Sequence, residues 1–163
     1  MQGTVIAEQL HVVNILAPVD ITGGKTAQAF SMKFFGHATI IIQVGVSAAA
    51  WTKILLNQCT DASGTGATAI AFNMYAQETA GVSHDTLGAR TAVTASGYTP
   101  SANDGIFYVI EIDAAELDNS GATGNYLQLQ LTNGTNSVIA SAVAILSGLR
   151  HSGQSVNQPS ATV

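Results

Sequence analysis

Turn chemistry interrupts this chain so often that no long helix fits between the interruptions. Thr22-Gly23-Gly24-Lys25 reads as a tight turn and Asp61-Ala62-Ser63-Gly64-Thr65-Gly66 as a longer loop. A third runs from Ser96-Gly97 through Pro100 to Asn103-Asp104-Gly105, and a fourth from Asp118 to Asn125. Thr132-Asn133-Gly134-Thr135-Asn136 is the strongest hairpin signal, because Asn-Gly supplies the positive φ angles that two-residue hairpin turns need. Between the turns lie short runs with strand periodicity. In Tyr126–Thr132 the side chains Leu127, Leu129 and Leu131 alternate with Gln128, Gln130 and Thr132, one set for a core and one for water.

The other runs follow the same reading. Thr26–Met32 is expected as a strand. Thr39–Val44 carries the β-branched Ile40-Ile41-Ile42 of a central strand. In Lys53–Cys59, Ile54 and Leu56 face one way. In Ile106–Asp113, Phe107, Val109 and Glu111 alternate with Tyr108, Ile110 and Ile112. Ala89–Ala95 is a weak strand, and Ser137–Leu146 the last, with Ala140, Ala142 and Ala144 packed closely by a neighbour. Ala67–Met74 fits either strand or helix. A helical turn is expected at Ala114–Leu117, capped by Asp113.

The pattern predicts an all-β fold, a single-domain β-sandwich or jelly roll of about eight antiparallel strands between Thr26 and Leu146. Residues 1–16 are expected as an N-terminal arm or edge strand, 17–150 as the sandwich, and 151–163 as a polar tail.

Charged residues are 9% of the chain, against about 25% in ordinary domains. Only five are Lys or Arg and the net charge is −5. Those numbers argue against nucleic acid as a partner through phosphate neutralisation, and against a polybasic membrane-surface protein. Hydrophobic residues at 47% argue against a disordered chain. The apolar stretches Ala38–Trp51 and Val138–Leu149 are too short to span a bilayer. Met1-Gln2-Gly3-Thr4 lacks the basic start of a secretory signal, so synthesis without export is expected. Cys59 stands alone and reads as a small buried hydrophobe.

Residues with chemical potential are scattered. His11, His37, His84 and His151 have no neighbouring histidine or cysteine at ligand spacing. His84-Asp85 sits in loop composition beside Ser83, and neighbours along an extended chain point to opposite faces, which disfavours a triad. Glu111 and Asp113 share one strand face. They are expected as a solvated face ending in a capped turn, with a calcium site or an acid–base pair as the sharper alternatives. Gly64-Thr65-Gly66 and Gly23-Gly24-Lys25-Thr26 both lack the rest of a phosphate loop. Trp51, Tyr75, Tyr98, Tyr108 and Tyr126 are few for a sugar-stacking platform, and core or interface packing is expected for Trp51. No catalytic residue, metal ligand or cofactor is proposed from the sequence.

Three segments carry a resemblance. Pro18-Val19-Asp20-Ile21-Thr22-Gly23-Gly24-Lys25-Thr26 leads into His37-Ala38-Thr39-Ile40-Ile41-Ile42-Gln43-Val44-Gly45. Tyr108–Asp118 follows in the second half, and Ala142–Arg150 closes the core. From about Pro18 to Arg150 the chain resembles the decoration, or cement, proteins of tailed-bacteriophage capsids. The resemblance rests on the texture of whole segments and transfers no binding residue. It implies a jelly-roll or related sandwich, no enzyme activity, and synthesis in the host cytoplasm. It further implies a homodimer or homotrimer seated on the capsid exterior of the virion, stabilising contacts between major capsid protein subunits. A head-fibre or tail-surface component, or a carbohydrate-binding module, are the alternatives. The apolar residues Val5, Ile6, Leu10, Val12 and Val13 are candidate partner contacts, with Trp51 beside them.

Overall fold

The computed structural model describes residues 5–77, 86–118 and 124–150. A four-residue helical turn, Ile6–Gln9, precedes β1 (His11–Asp20). Then come β2 (Lys25–Thr26), β3 (Phe30–Ser31), β4 (Phe35–Ser47), β5 (Lys53–Cys59), β6 (Thr68–Ile70), β7 (Phe72–Gln77) and β8 (Thr91–Val93). Last are β9 (Phe107–Asp113), β10 (Tyr126–Thr132) and β11 (Val138–Leu149). Every pairing is antiparallel. One sheet has six strands in the order β1-β11-β4-β9-β7-β8; the other runs β2-β10-β5-β6, with β3 also on β10. The fold is an all-β, sandwich-like pair of sheets.

Alternation builds the core. Leu127, Leu129 and Leu131 are fully buried, with Leu129 opposite Leu56 and Leu131 opposite Ile54 on β5. From the six-stranded sheet, Ile40 and Ile42 of β4 face the same interior as Ile110 and Tyr108, their partners on β9. Burying one such side chain is worth about 1.5–3 kcal/mol. Ala140, Ala142 and Ala144 are buried too, small residues inward on β11 among much larger ones.

Two expected strands are divided and β1 lies ahead of the expected Thr26–Leu146 range, which is why eleven strands stand among the described residues where about eight were expected. Ala67–Met74 is extended, which settles its ambiguity against helix. It changes sheet at Ala71: Ile70 pairs with Leu56 of β5, whereas Phe72 pairs with Val93 in the other sheet. Thr26–Met32 breaks into β2 and β3 because Gln28 donates its N–H across to Ile15 on β1 at 2.9 Å. Ala27, Ala29, Phe30 and Met32 are all buried, so this segment does not alternate as a half-exposed strand would. The turn after β9 forms as a 3-10 helix, Ala114–Glu116, whose Glu116 side chain accepts the Asp113 N–H at 2.9 Å.

Two local devices fix the loops. Gly97 has φ +81°, and a Cβ there would stand 2.6 Å from the Ile54 carbonyl oxygen. Only glycine lets the chain come close enough for Tyr98 and Ile54 to exchange backbone hydrogen bonds at 2.8 and 2.9 Å. At the end of β1 the Asp20 carboxylate accepts from the Ser137 hydroxyl (2.7 Å), the Thr22 hydroxyl (2.7 Å) and the Thr22 N–H (2.9 Å). Those bonds, the Ser137 hydroxyl first, hold its pKa down at about 2.

Candidate functional site

The six-stranded sheet places two features on its outer face, away from the core. The first is a histidine held between carboxylates. β4 and β9 pair with His37 opposite Asp113 and Thr39 opposite Glu111, and all four side chains project outward. His37 Nδ1 lies 2.7 Å from Asp113 Oδ1, and Nε2 lies 2.6 Å from Glu111 Oε2. The Thr39 hydroxyl donates to the same Glu111 oxygen at 2.7 Å. Both ring nitrogens face acceptors, so both contacts are hydrogen bonds only when the ring carries two protons. Partial burial works against that charge, but the hydrogen bonds His37 donates to Asp113 and Glu111, and the negative charges of the two, prevail and raise the His37 pKa above its ordinary 6.5. Arg90, bonded through Nε to Asn73 Oδ1 at 3.1 Å, and Glu116 complete the rim of a shallow depression of about 210 Å³.

When doubly protonated and donating on both sides, the imidazolium has no lone pair for a metal or for proton abstraction. Among the described residues no group of three His, Cys, Asp or Glu side chains is placed to hold a metal ion. The Glu111–Asp113 face is partly solvated and ends in a capped turn, as expected; what the sequence did not announce is that the two carboxylates are also cross-braced to β4. Residues 74 and 76 positions apart meet there, and no local spacing announces it.

The second feature is apolar. The register lines up Val143 of β11, Ile41 of β4, Val109 of β9 and Tyr75 of β7 in one row across the sheet. Val109 is buried and the other three are half-buried. The next row starts at the edge with Val12, 49% exposed, and passes through Ile145 to Thr39 and Glu111. β1 forms this edge among the described residues, and from His11 to Val19 it has no Asp, Glu, Lys or Arg. Edge strands are blunted by charged side chains, proline or bulges, and β1 uses the last two, Pro18 and register shifts between Asn14 and Leu16 and between Leu16 and Val19.

The candidate contact residues divide accordingly. Val5 and Ile6 are each 48% exposed at the helical turn, and Leu10 is half-buried just before β1. Residues 11–16 belong to β1 rather than to a free arm. Val12 is on the outer face, whereas Val13 is half-buried against the core. Trp51 takes the core half of its expectation, which removes it from the contact candidates: at 2% exposure it lies inside, its ring edge-on to Tyr108 with centroids 6.3 Å apart, and Tyr108 meets Tyr98 the same way at 5.9 Å. Three of the five aromatics considered as a sugar platform therefore form an interior cluster. Cys59 is buried, and burial first, then the charge of Asp61, pushes its thiol pKa up. His84, Asp85 and the segment 151–163 lie outside the described residues.

Gln58 is a structural residue the sequence reading missed. It is 1% exposed, and its amide donates to the carbonyls of Asp118 (2.8 Å) and Gly124 (2.7 Å) and accepts the Asp118 N–H (3.0 Å). The available signal was its parity: Gln58 follows Ile54 and Leu56 on the inward face of β5.

No family model matches the chain, and neither a curated protein nor a solved structure does. The geometry stands on its own.

Proposed function

We propose that this protein is a structural subunit of a tailed-phage particle. It binds the outside of the icosahedral capsid as a homodimer or homotrimer and stabilises contacts between major capsid subunits. The single observation behind a docking role is the apolar row Val143–Ile41–Val109–Tyr75 on an outer sheet face, with Val12 in the adjoining row at an uncharged edge. A row of this kind on a face otherwise open to water favours a partner that covers it. The sparse charge of the chain suits close packing of many copies, and an oligomer touching several capsid subunits adds weak contacts through effective concentration. A jelly-roll path belongs to this reading. It is supported by the chain's repeated passage between sheets, at β1 to β2, β3 to β4, β4 to β5, β6 to β7, β9 to β10 and β10 to β11.

The test is the copy number of this chain in purified particles. A ratio to the major shell protein near one, or a simple fraction of it, is expected. A trace band would replace the decoration role with a fibre or tail component, and no band would end the virion reading. The contact surface is tested separately with residues 1–10 removed and with Val12→Ser, since a cut at residue 16 would take half of β1 and the buried Ile15 with it. Both variants are expected to fold and to lose oligomer mass or capsid binding.

A further inference from the structure

The expected Asn-Gly hairpin does not form, because β10 and β11 lie in different sheets; the turn that links them holds a reactive bond that no role in docking requires. Asn133 is the one asparagine in the sequence followed by glycine. In the folded turn the Gly134 backbone nitrogen lies 2.9 Å from Asn133 Oδ1, which brings that nitrogen alongside the side-chain carbonyl carbon of the same amide. Gly134 is exposed, and the space a Cβ would fill there is empty, so water and base reach the bond. Elsewhere, Asn57 and Asn73 sit in strands and precede Gln58 and Met74, whose side chains crowd the approach to the backbone nitrogen.

The geometry points to Asn133-Gly134 as a site of spontaneous deamidation and isoaspartate formation in the folded protein. The Gly134 N–H gives its proton to solvent base, and the nitrogen forms a bond to Cγ of Asn133. The Cγ–Nδ2 bond then breaks, and Nδ2 leaves as ammonia with a proton from water. The resulting cyclic imide adds one water. Opening at Cγ leaves aspartate; opening at the main-chain carbonyl leaves isoaspartate, with the chain running through Cβ and Cγ. The net change is asparagine plus water to an acid plus ammonia.

Either product disturbs the same contacts. Asn133 Nδ2 donates to the Asn136 carbonyl at 2.8 Å, and a carboxylate there would set acceptor against acceptor. Isoaspartate also adds a backbone atom ahead of Gly134, whose carbonyl accepts the Gly23 N–H at 2.8 Å. The neighbouring Thr22 hydroxyl, bonded to both Asp20 and the Asn136 carbonyl, is next in line. The modification therefore loosens the link between the end of β1 and the start of β11 and makes the chain more acidic.

The full-length protein is aged in neutral and mildly alkaline buffer under conditions where circular dichroism reports it folded. Peptide mapping by mass spectrometry, with isoaspartyl methyltransferase labelling, follows each asparagine. The Asn133 peptide is expected to gain the mass of an amide-to-acid exchange before any other, to split into two isomers, and to convert faster at higher pH. The mass gain separates this from isomerisation at Asp104-Gly105, which is mass-neutral. Gly134→Ala should lose most of the conversion while folding normally, and Asn133→Gln should lose it as well. In the aged wild type, hydrogen exchange at the Gly23 amide should rise with the modified fraction. Earlier conversion at Asn119 or Asn136, a wild-type rate in Gly134→Ala or in Asn133→Gln, or conversion only after unfolding would each overturn the assignment.

Discussion

On the outer face of the five-stranded sheet, Gln128 and Gln130 of β10 lie beside Asn57 of β5, and Asn57 donates to Gln130 at 3.1 Å. The loop after β5 returns over this face at Gly64, against the Gln128 amide. On the outer face of the six-stranded sheet, the equivalent rows carry Val143, Ile41, Val109 and Tyr75, with the His37 brace at one end. The two sheets share one core and one alternation, yet one outer face carries amides and the other a part-buried apolar row. The difference teaches that in this fold inward positions are fixed by the core, whereas outward ones are free to differ between the sheets.

The largest effect that separates the two roles comes from adjacent residues of β4. Ile40→Ala, inside, should cost about 2–5 kcal/mol in urea unfolding, as cavity-forming substitutions do. Ile41→Ser, one residue on and outside, should cost less than about 1 kcal/mol and show its effect in oligomer mass by light scattering. Equal losses of stability would break the division between faces.

A smaller effect concerns amides. Gln58→Leu strands the Asp118 and Gly124 backbone groups and should lower stability by about 1–3 kcal/mol. Gln128→Leu, on the outer face of the neighbouring strand, should stay within about 0.5 kcal/mol of wild type. The reverse order would mean that the outer amides, not the inward glutamine, hold this sheet.

The smallest effect is at the brace. Since folding raises the His37 pKa, its contribution is fully present below the unfolded value of 6.5 and is lost as pH rises through the folded value. The groups are partly exposed and screened, so His37→Gln should cost about 0.2–1 kcal/mol at mildly acid pH and less at alkaline pH. An NMR titration of the His37 ring at or below the ordinary value would remove the brace from the account.

Much of the fold was legible because strand alternation is a local property. Leu127, Leu129 and Leu131 point one way wherever the strand lies, and the capped turn after Asp113 is written within four residues. The break at Ala71 was not legible, because both halves of Ala67–Met74 are extended and only their partners, β5 and β9, differ. Trp51 followed three alanines as a surface or core residue would, and only its contact with Tyr108 decided between them. The exposed apolar residues were half legible: Val5, Ile6 and Val12 stand out in the sequence, whereas Ile41, Val109 and Val143 read as ordinary strand residues until the register put them in one row.

By itself the sequence determined the element type, the turn positions and the inward face of each long strand, since backbone pleat and turn dihedrals depend on near neighbours. The tertiary structure decided which strands share a sheet, and with them the His37–Glu111–Asp113 brace and the apolar row. Those depend on register between distant segments, and a slip of one residue would send the same side chains to the opposite face.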